Sequence, residues 1–107
     1  MSAIAVVTTV GNCAEAQAMA RALVERRLAA CAQIDTIESF YIWDGAVQNA
    51  QEFRVTFKTT DALYGTIEAA IRELHSYTLP AIHAVSLAPI YDPYAQWIVN
   101  QCAGDRS

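Results

Sequence analysis

Residues 28–60, LAACAQIDTIESFYIWDGAVQNAQEFRVTFKTT, decide the fold. Asp44-Gly45 lies near their middle, and an Asp-Gly pair between apolar runs marks a two-residue type I′ hairpin turn, which needs positive φ at both positions. In the outgoing arm Phe53, Val55 and Phe57 alternate with Glu52, Arg54, Thr56 and Lys58, giving one buried and one wet face. The incoming arm behaves differently. Ile34 shares a face with Phe40 and Ile42, whereas Ile37 shares the other with Tyr41 and Trp43, so both sides near the tip carry large apolar groups. Two compatible explanations follow: a bulge around Asp35-Thr36 that swaps faces, or a tip covered on both sides by a partner. Arms of about 15 residues at roughly 3.3 Å per residue also outreach a domain of this size, about 13 Å in radius of gyration. The tip is therefore expected to pack on neighbouring subunits.

Working outward, Ala3 to Thr9 is a short β-branched run closed by Gly11, which reads as a strand buried on both faces. Asn12 precedes Glu15 at capping-box spacing and opens a helix whose apolar face is Ala16, Met19, Ala20 and Leu23, ending near Arg26-Arg27. After the hairpin, Thr60 and Asp61 open a second helix with the stripe Leu63, Ile67, Ala70, Ile71 and Leu74, ending at His75. Ser76 to Pro80 is a loop, Ala81 to Leu87 a last strand, and Asp92-Pro93 an N-cap with proline at the first position of a short C-terminal helix. The order is β-α-β-β-α-β, a ferredoxin-like α+β sandwich with a long hairpin and a short C-terminal helix, expected as a single domain over residues 1–107.

Composition narrows the function. Over half of the 107 residues are apolar and only 17% are charged, lean for so small a surface and consistent with part of it being covered by another copy. A net charge of −4 with seven scattered basic residues argues against a nucleic-acid partner. No run approaches a membrane span and the N-terminus lacks a signal-peptide pattern, so no membrane role and a cytosolic location are expected. Three irregularly spaced cysteines, Cys13, Cys31 and Cys102, fit free thiols. Cys31 reads as a buried core thiol, Cys13 as the more reactive one at a helix start.

Strings spread along the whole chain carry a resemblance: Leu28-Ala29-Ala30-Cys31, Tyr41-Ile42-Trp43-Asp44-Gly45, Phe57-Lys58-Thr59-Thr60, Glu73-Leu74-His75-Ser76-Tyr77, Pro80, and Tyr94-Ala95-Gln96-Trp97-Ile98. In order and spacing they resemble the CutA divalent-cation tolerance family. The resemblance implies a ferredoxin-like subunit assembling as a stable homotrimer, its hairpin extending a neighbour's sheet, and an association with tolerance to metals such as copper. Where family members usually read His-Pro-Tyr-Glu and Pro-Glu, this chain has His75-Ser76-Tyr77-Thr78 and Pro80-Ala81, so two carboxylates are absent. A cysteine that some members carry in the first strand, proposed with His and Glu as a copper ligand, is replaced by Thr8 or Thr9.

His75, at a helix end beside a polar loop, is the candidate metal ligand, weighed against a helix-terminal histidine bonding the last carbonyls. Lys58-Thr59-Thr60 ahead of a helix is a candidate anion site, weighed against a solvated strand lysine. Lys58, Thr60, His75, Tyr77 and Trp97 make up the candidate ligand-contacting set, a small ligand or metal at subunit clefts being the expected occupant. Tyr41 and Trp43 read as interface residues. Tyr94 and Trp97 read by default as a helix packed over the sheet, and His83 as a packed or edge histidine. No nucleophile elbow or assignable His-Asp pair is present, so no enzyme is expected. The rival reading is a PII-like signalling trimer binding nucleotides between subunits, which would need basic, glycine-rich loops. A hydrolase of acylphosphatase type would need an arginine-bearing anion loop that residues 8–12 lack.

Overall fold

A computed structural model of the chain describes residues 1–102. Strand β1 (Ala3–Val10) is followed by helix α1 (Cys13–Glu25), strands β2 (Cys31–Trp43) and β3 (Ala46–Thr60), a 3-10 turn (Asp61–Leu63), helix α2 (Tyr64–Leu74), strand β4 (Ile82–Ser86) and helix α3 (Asp92–Gln101). The four strands form one antiparallel sheet in the order β2-β3-β1-β4, the ferredoxin-like arrangement expected from the element order.

Asp44 and Gly45 adopt φ of 53° and 76°, the pair of left-handed residues that a type I′ turn requires. From that turn the β2–β3 register runs unbroken from Trp43–Ala46 to Cys31–Lys58. The bulge expected at Asp35-Thr36 is therefore absent: Asp35 pairs with Arg54 and Thr36 with Phe53 in regular succession. The Arg54 guanidinium grips the Asp35 carboxylate with two hydrogen bonds, 3.1 and 2.6 Å, and a cross-strand fork of this kind favours a straight register over a bulge. The large apolar groups on both faces of the tip are therefore in regular register and uncovered in a single copy, with Phe40, Ile42 and Trp43 standing 68%, 66% and 53% exposed.

Helices α1 and α2 cover one face of the sheet. Val6, Val55 and Phe57 from the strands meet Met19, Leu23, Ile67 and Ile71 from the helices, all essentially buried. Each such large side chain contributes about 2 kcal/mol through the water it gives up. On the other face α3 packs Ile98 and Cys102 against Ala3.

Local caps set where the helices begin and end. Asn12 accepts from the Glu15 amide at 2.8 Å, as the capping spacing predicts. Helix α1 stops at Glu25 because Arg27 turns left-handed at φ 62°, letting its amide reach Val24 and that of Leu28 reach Leu23, both at 3.0 Å, a Schellman closure with buried Leu28 as its apolar anchor. The start of the second helix differs from expectation, since Thr60 makes no side-chain cap and a 3-10 turn intervenes before Tyr64. Tyr91, not Asp92, is the cap position of α3, and Pro93 sits one residue further inside than expected.

Candidate functional site

Where β1 ends at Val10, β3 continues into the hairpin, and the segment between α2 and β4 crosses the gap. His75 fastens it. The ring, with its side chain fully buried, bonds the Thr9 carbonyl through Nε2 at 2.8 Å and accepts the Tyr77 amide at Nδ1 at 3.1 Å. Because Nδ1 is the acceptor, Nε2 must carry the proton and donate. Glu15, from the first turn of α1, holds the next residue: its carboxylate accepts from the Ser76 amide at 3.0 Å and the Ser76 hydroxyl at 2.8 Å. The same carboxylate lies 3.9 Å from His75 Nδ1, a contact between two acceptors rather than an ion pair, since the Nδ1 lone pair faces Tyr77.

Tyr77 then turns back and donates its hydroxyl to Glu52 Oε2 at 2.8 Å. Burial first, and then the hydrogen bond and negative charge of Glu52, push its phenol up from 10.0 to about 12. Gly11 leaves room for this ring: a Cβ there would lie 3.3 Å from the Tyr77 hydroxyl. Beside Tyr77 opens a cavity of about 890 Å³, walled by the hairpin residues Glu38, Tyr41, Trp43 and Glu52 and by Tyr77 and Leu79 of the crossing segment.

The candidate ligand-contacting residues fall into two groups. His75 and Tyr77 come together, ring centroids 4.9 Å apart. Lys58 belongs to the surface under α3, where its ammonium donates to Gln33 at 3.1 Å and lies 5.9 Å from the centre of the Tyr94 ring, which stacks on Trp97. Thr60 is buried, and Asp61, the residue after it, accepts from the Ser2 amide at 2.9 Å. Cys31 is partly exposed, not buried as expected, because β2 is an edge strand, while Cys102 is the buried thiol and Cys13 is exposed at the start of α1. His83 lies on the edge strand β4, exposed.

Glu52 and Glu15 were missed by sequence reasoning. Strand alternation puts Glu52 on the wet face, yet it is only 8% exposed because Tyr77 covers it, a contact across 25 residues that periodicity does not carry.

These features define a ferredoxin-like α+β domain with a long hairpin and a polar cluster at its base that fastens backbone. The family model of the CutA1 divalent ion tolerance protein matches residues 4–101. The chain belongs to the CutA divalent-cation tolerance family. It is 37% identical over 94 residues to the CutA of Thermus thermophilus, covering 87% of this chain and 91% of that protein. It is 34% identical over 84 residues to that of Archaeoglobus fulgidus, 78% and 82% of the two chains. The solved structure of the A. fulgidus periplasmic divalent cation tolerance protein CutA superposes with a TM-score of 0.91 at 30% identity, over 94% of this chain and 98% of that one. That of T. thermophilus gives 0.88 at 35% identity, over 92% and 97%. The family is named for tolerance and not for a catalysed reaction.

A divalent cation is the ligand that this family name brings to mind, and the residues around His75 do not fit one as arranged. Both ring nitrogens are bonded within the chain, and Thr9 contributes its carbonyl to the ring rather than a thiolate. Among the described residues no three His, Cys, Asp or Glu side chains converge on a common point.

Proposed function

We propose that the protein serves divalent-cation tolerance as a non-enzymatic homotrimer joined through its hairpin. The observation that carries this reading is the tip itself: Phe40 and Ile42 on one face and Tyr41 and Trp43 on the other are all exposed in a single copy. Apolar groups on both faces of a strand pair cannot be covered by folding one sheet face onto a core, whereas a neighbouring subunit covers both at once. The molecule's long dimension of 44 Å against a shortest one of 21 Å leaves the hairpin projecting into reach of such neighbours. The reading includes a cytosolic location, supported by three unpaired thiols. The nucleotide-binding alternative gains nothing from the cavity, whose charged walls are carboxylates.

Native mass spectrometry at micromolar concentration is expected to give three 11.7 kDa chains per particle. Carrying Phe40→Ser and Ile42→Ser together, the chain should run as a monomer with its far-ultraviolet dichroism retained, and should no longer restore growth of a copper-sensitive deletion strain. A monomeric wild type, or a double variant that stays trimeric, overturns the proposal.

A further inference from the structure

We propose that Cys31 and Cys102 are a reversible oxidation site, two thiols placed to close into a disulfide that ties helix α3 to the start of edge strand β2. Lys58 brings them together. Cys31 is its cross-strand partner, so their Cα atoms lie about 5 Å apart and their side chains share one face of the sheet. That face is the one α3 covers, since the Lys58 ammonium lies over the Tyr94 ring and Ala3 on the same face meets Ile98. From the helix side the Cys102 thiol donates to the Lys58 carbonyl at 3.9 Å, and that carbonyl also accepts at 2.8 Å from the amide of Ala30, the residue before Cys31. Both cysteines thus border one peptide group. Cys102 is the cap residue of α3, just beyond Gln101, so its side chain can swing toward Cys31 without unwinding the helix. Cys13 has no part in the site, because it follows the Val10 end of β1 whereas the Cys31–Lys58 pair lies beside Ala5.

The two thiols differ in the way such a pair requires. Cys31, on an edge strand, is partly exposed, whereas Cys102 is buried. Burial first of all pushes the Cys102 thiol up, and the nearby Cys31 adds to the rise against the Thr59 hydroxyl and the Ala30 amide. Cys31 is therefore the sulfur that hydrogen peroxide reaches, and Cys102 the one that resolves the product. Oxygen transfer from the peroxide turns the Cys31 thiol into a sulfenic acid and releases one water. The Cys102 sulfur then attacks the Cys31 sulfur, the S–O bond breaks, and the departing hydroxyl leaves as a second water with the Cys102 proton. Two thiols and one peroxide become one disulfide and two waters, the sulfurs losing the two electrons that the peroxide oxygens gain. A transient link of this kind is compatible with a reducing compartment.

The reduced full chain is exposed briefly to hydrogen peroxide at neutral pH, unfolded, and treated with N-ethylmaleimide, and the labels on each chain are counted by intact-mass spectrometry. Untreated protein is expected to take three labels and oxidised protein one, at Cys13, with dithiothreitol restoring the other two. Cys13→Ser should still lose two labels and yield a peptide linking Cys31 to Cys102. Cys102→Ser should stop at a Cys31 sulfenic acid that dimedone traps, while Cys31→Ser should leave Cys102 unoxidised at the same dose. Closure should be roughly tenfold or more faster in the folded chain than in urea, because only the fold holds the two sulfurs together. A disulfide through Cys13, chains linked to one another, no link in the wild type, or closure no faster than in urea overturns the assignment. So does a link that arises only when Phe40→Ser and Ile42→Ser separate the subunits, which would show that assembly keeps the pair from oxidant.

Discussion

Thr8 carries a buried hydroxyl that finds no hydrogen-bond partner among the described residues, in the middle of β1 on the face that α1 and α2 cover. Valine has the same shape without the hydroxyl, so Thr8→Val is expected to raise stability by about 1 kcal/mol, seen as a higher urea midpoint at unchanged slope. A lower midpoint would mean that the hydroxyl has a partner after all. Tyr77 makes the opposite case, a part-buried hydroxyl with its partner in place. Its phenol is pushed up to about 12, so the folded chain holds that proton more tightly than the unfolded one. The resulting stabilisation is fully present below pH 10 and drains away as pH climbs toward 12. Spectroscopic titration of tyrosinate should show a late-ionising step that Tyr77→Phe removes and Glu52→Gln moves to lower pH. A step unaltered by either substitution would place the late tyrosine elsewhere.

At the scale of elements, the closure of α1 is the instructive one. Arg27 occupies the left-handed position that glycine fills without strain, at a cost of about 1 kcal/mol. Its side chain recovers a little of this through an exposed hydrogen bond to Gln101 at 3.1 Å. Arg27→Gly is therefore expected to raise the melting temperature by a few degrees, with a net gain somewhat below about 1 kcal/mol. A fall would show that the Gln101 contact matters more than the backbone. Elements of this kind were legible in the sequence wherever the cause is local. Asp44-Gly45 marks its own turn, Asn12 its own cap, and the stripe through Ile67 and Ile71 its own buried face. The candidate site was legible only in part. His75 and Tyr77 stood out by position, but their partners Thr9 and Glu52 lie 66 and 25 residues away in the chain. Neither separation has a period for a sequence pattern to reveal.

At the scale of the whole molecule, the sheet's two ends do different work. Under the helices it is a closed core. Beyond the end of β1 it is a pair of strands whose companions, among the described residues, are Tyr77 and its neighbours. His75 and Glu15 bind the crossing segment to the core, and Tyr77 binds the base of the hairpin to that segment. Beside the two strands, which run unbroken into the core sheet, these polar contacts are what tie the hairpin's base to the core, so loss of the Tyr77–Glu52 bond should loosen that base without touching the core.

The unbroken register from Trp43–Ala46 to Cys31–Lys58 also limits how such a hairpin can change length. A single residue gained in one arm shifts every pair beyond it, and one gained in each arm keeps the pairs but exchanges the two faces of the tip. Only insertions or deletions of two residues in both arms together leave partners and faces as they are. Length variation in this element should accordingly come in steps of four residues, half on either side of Asp44-Gly45.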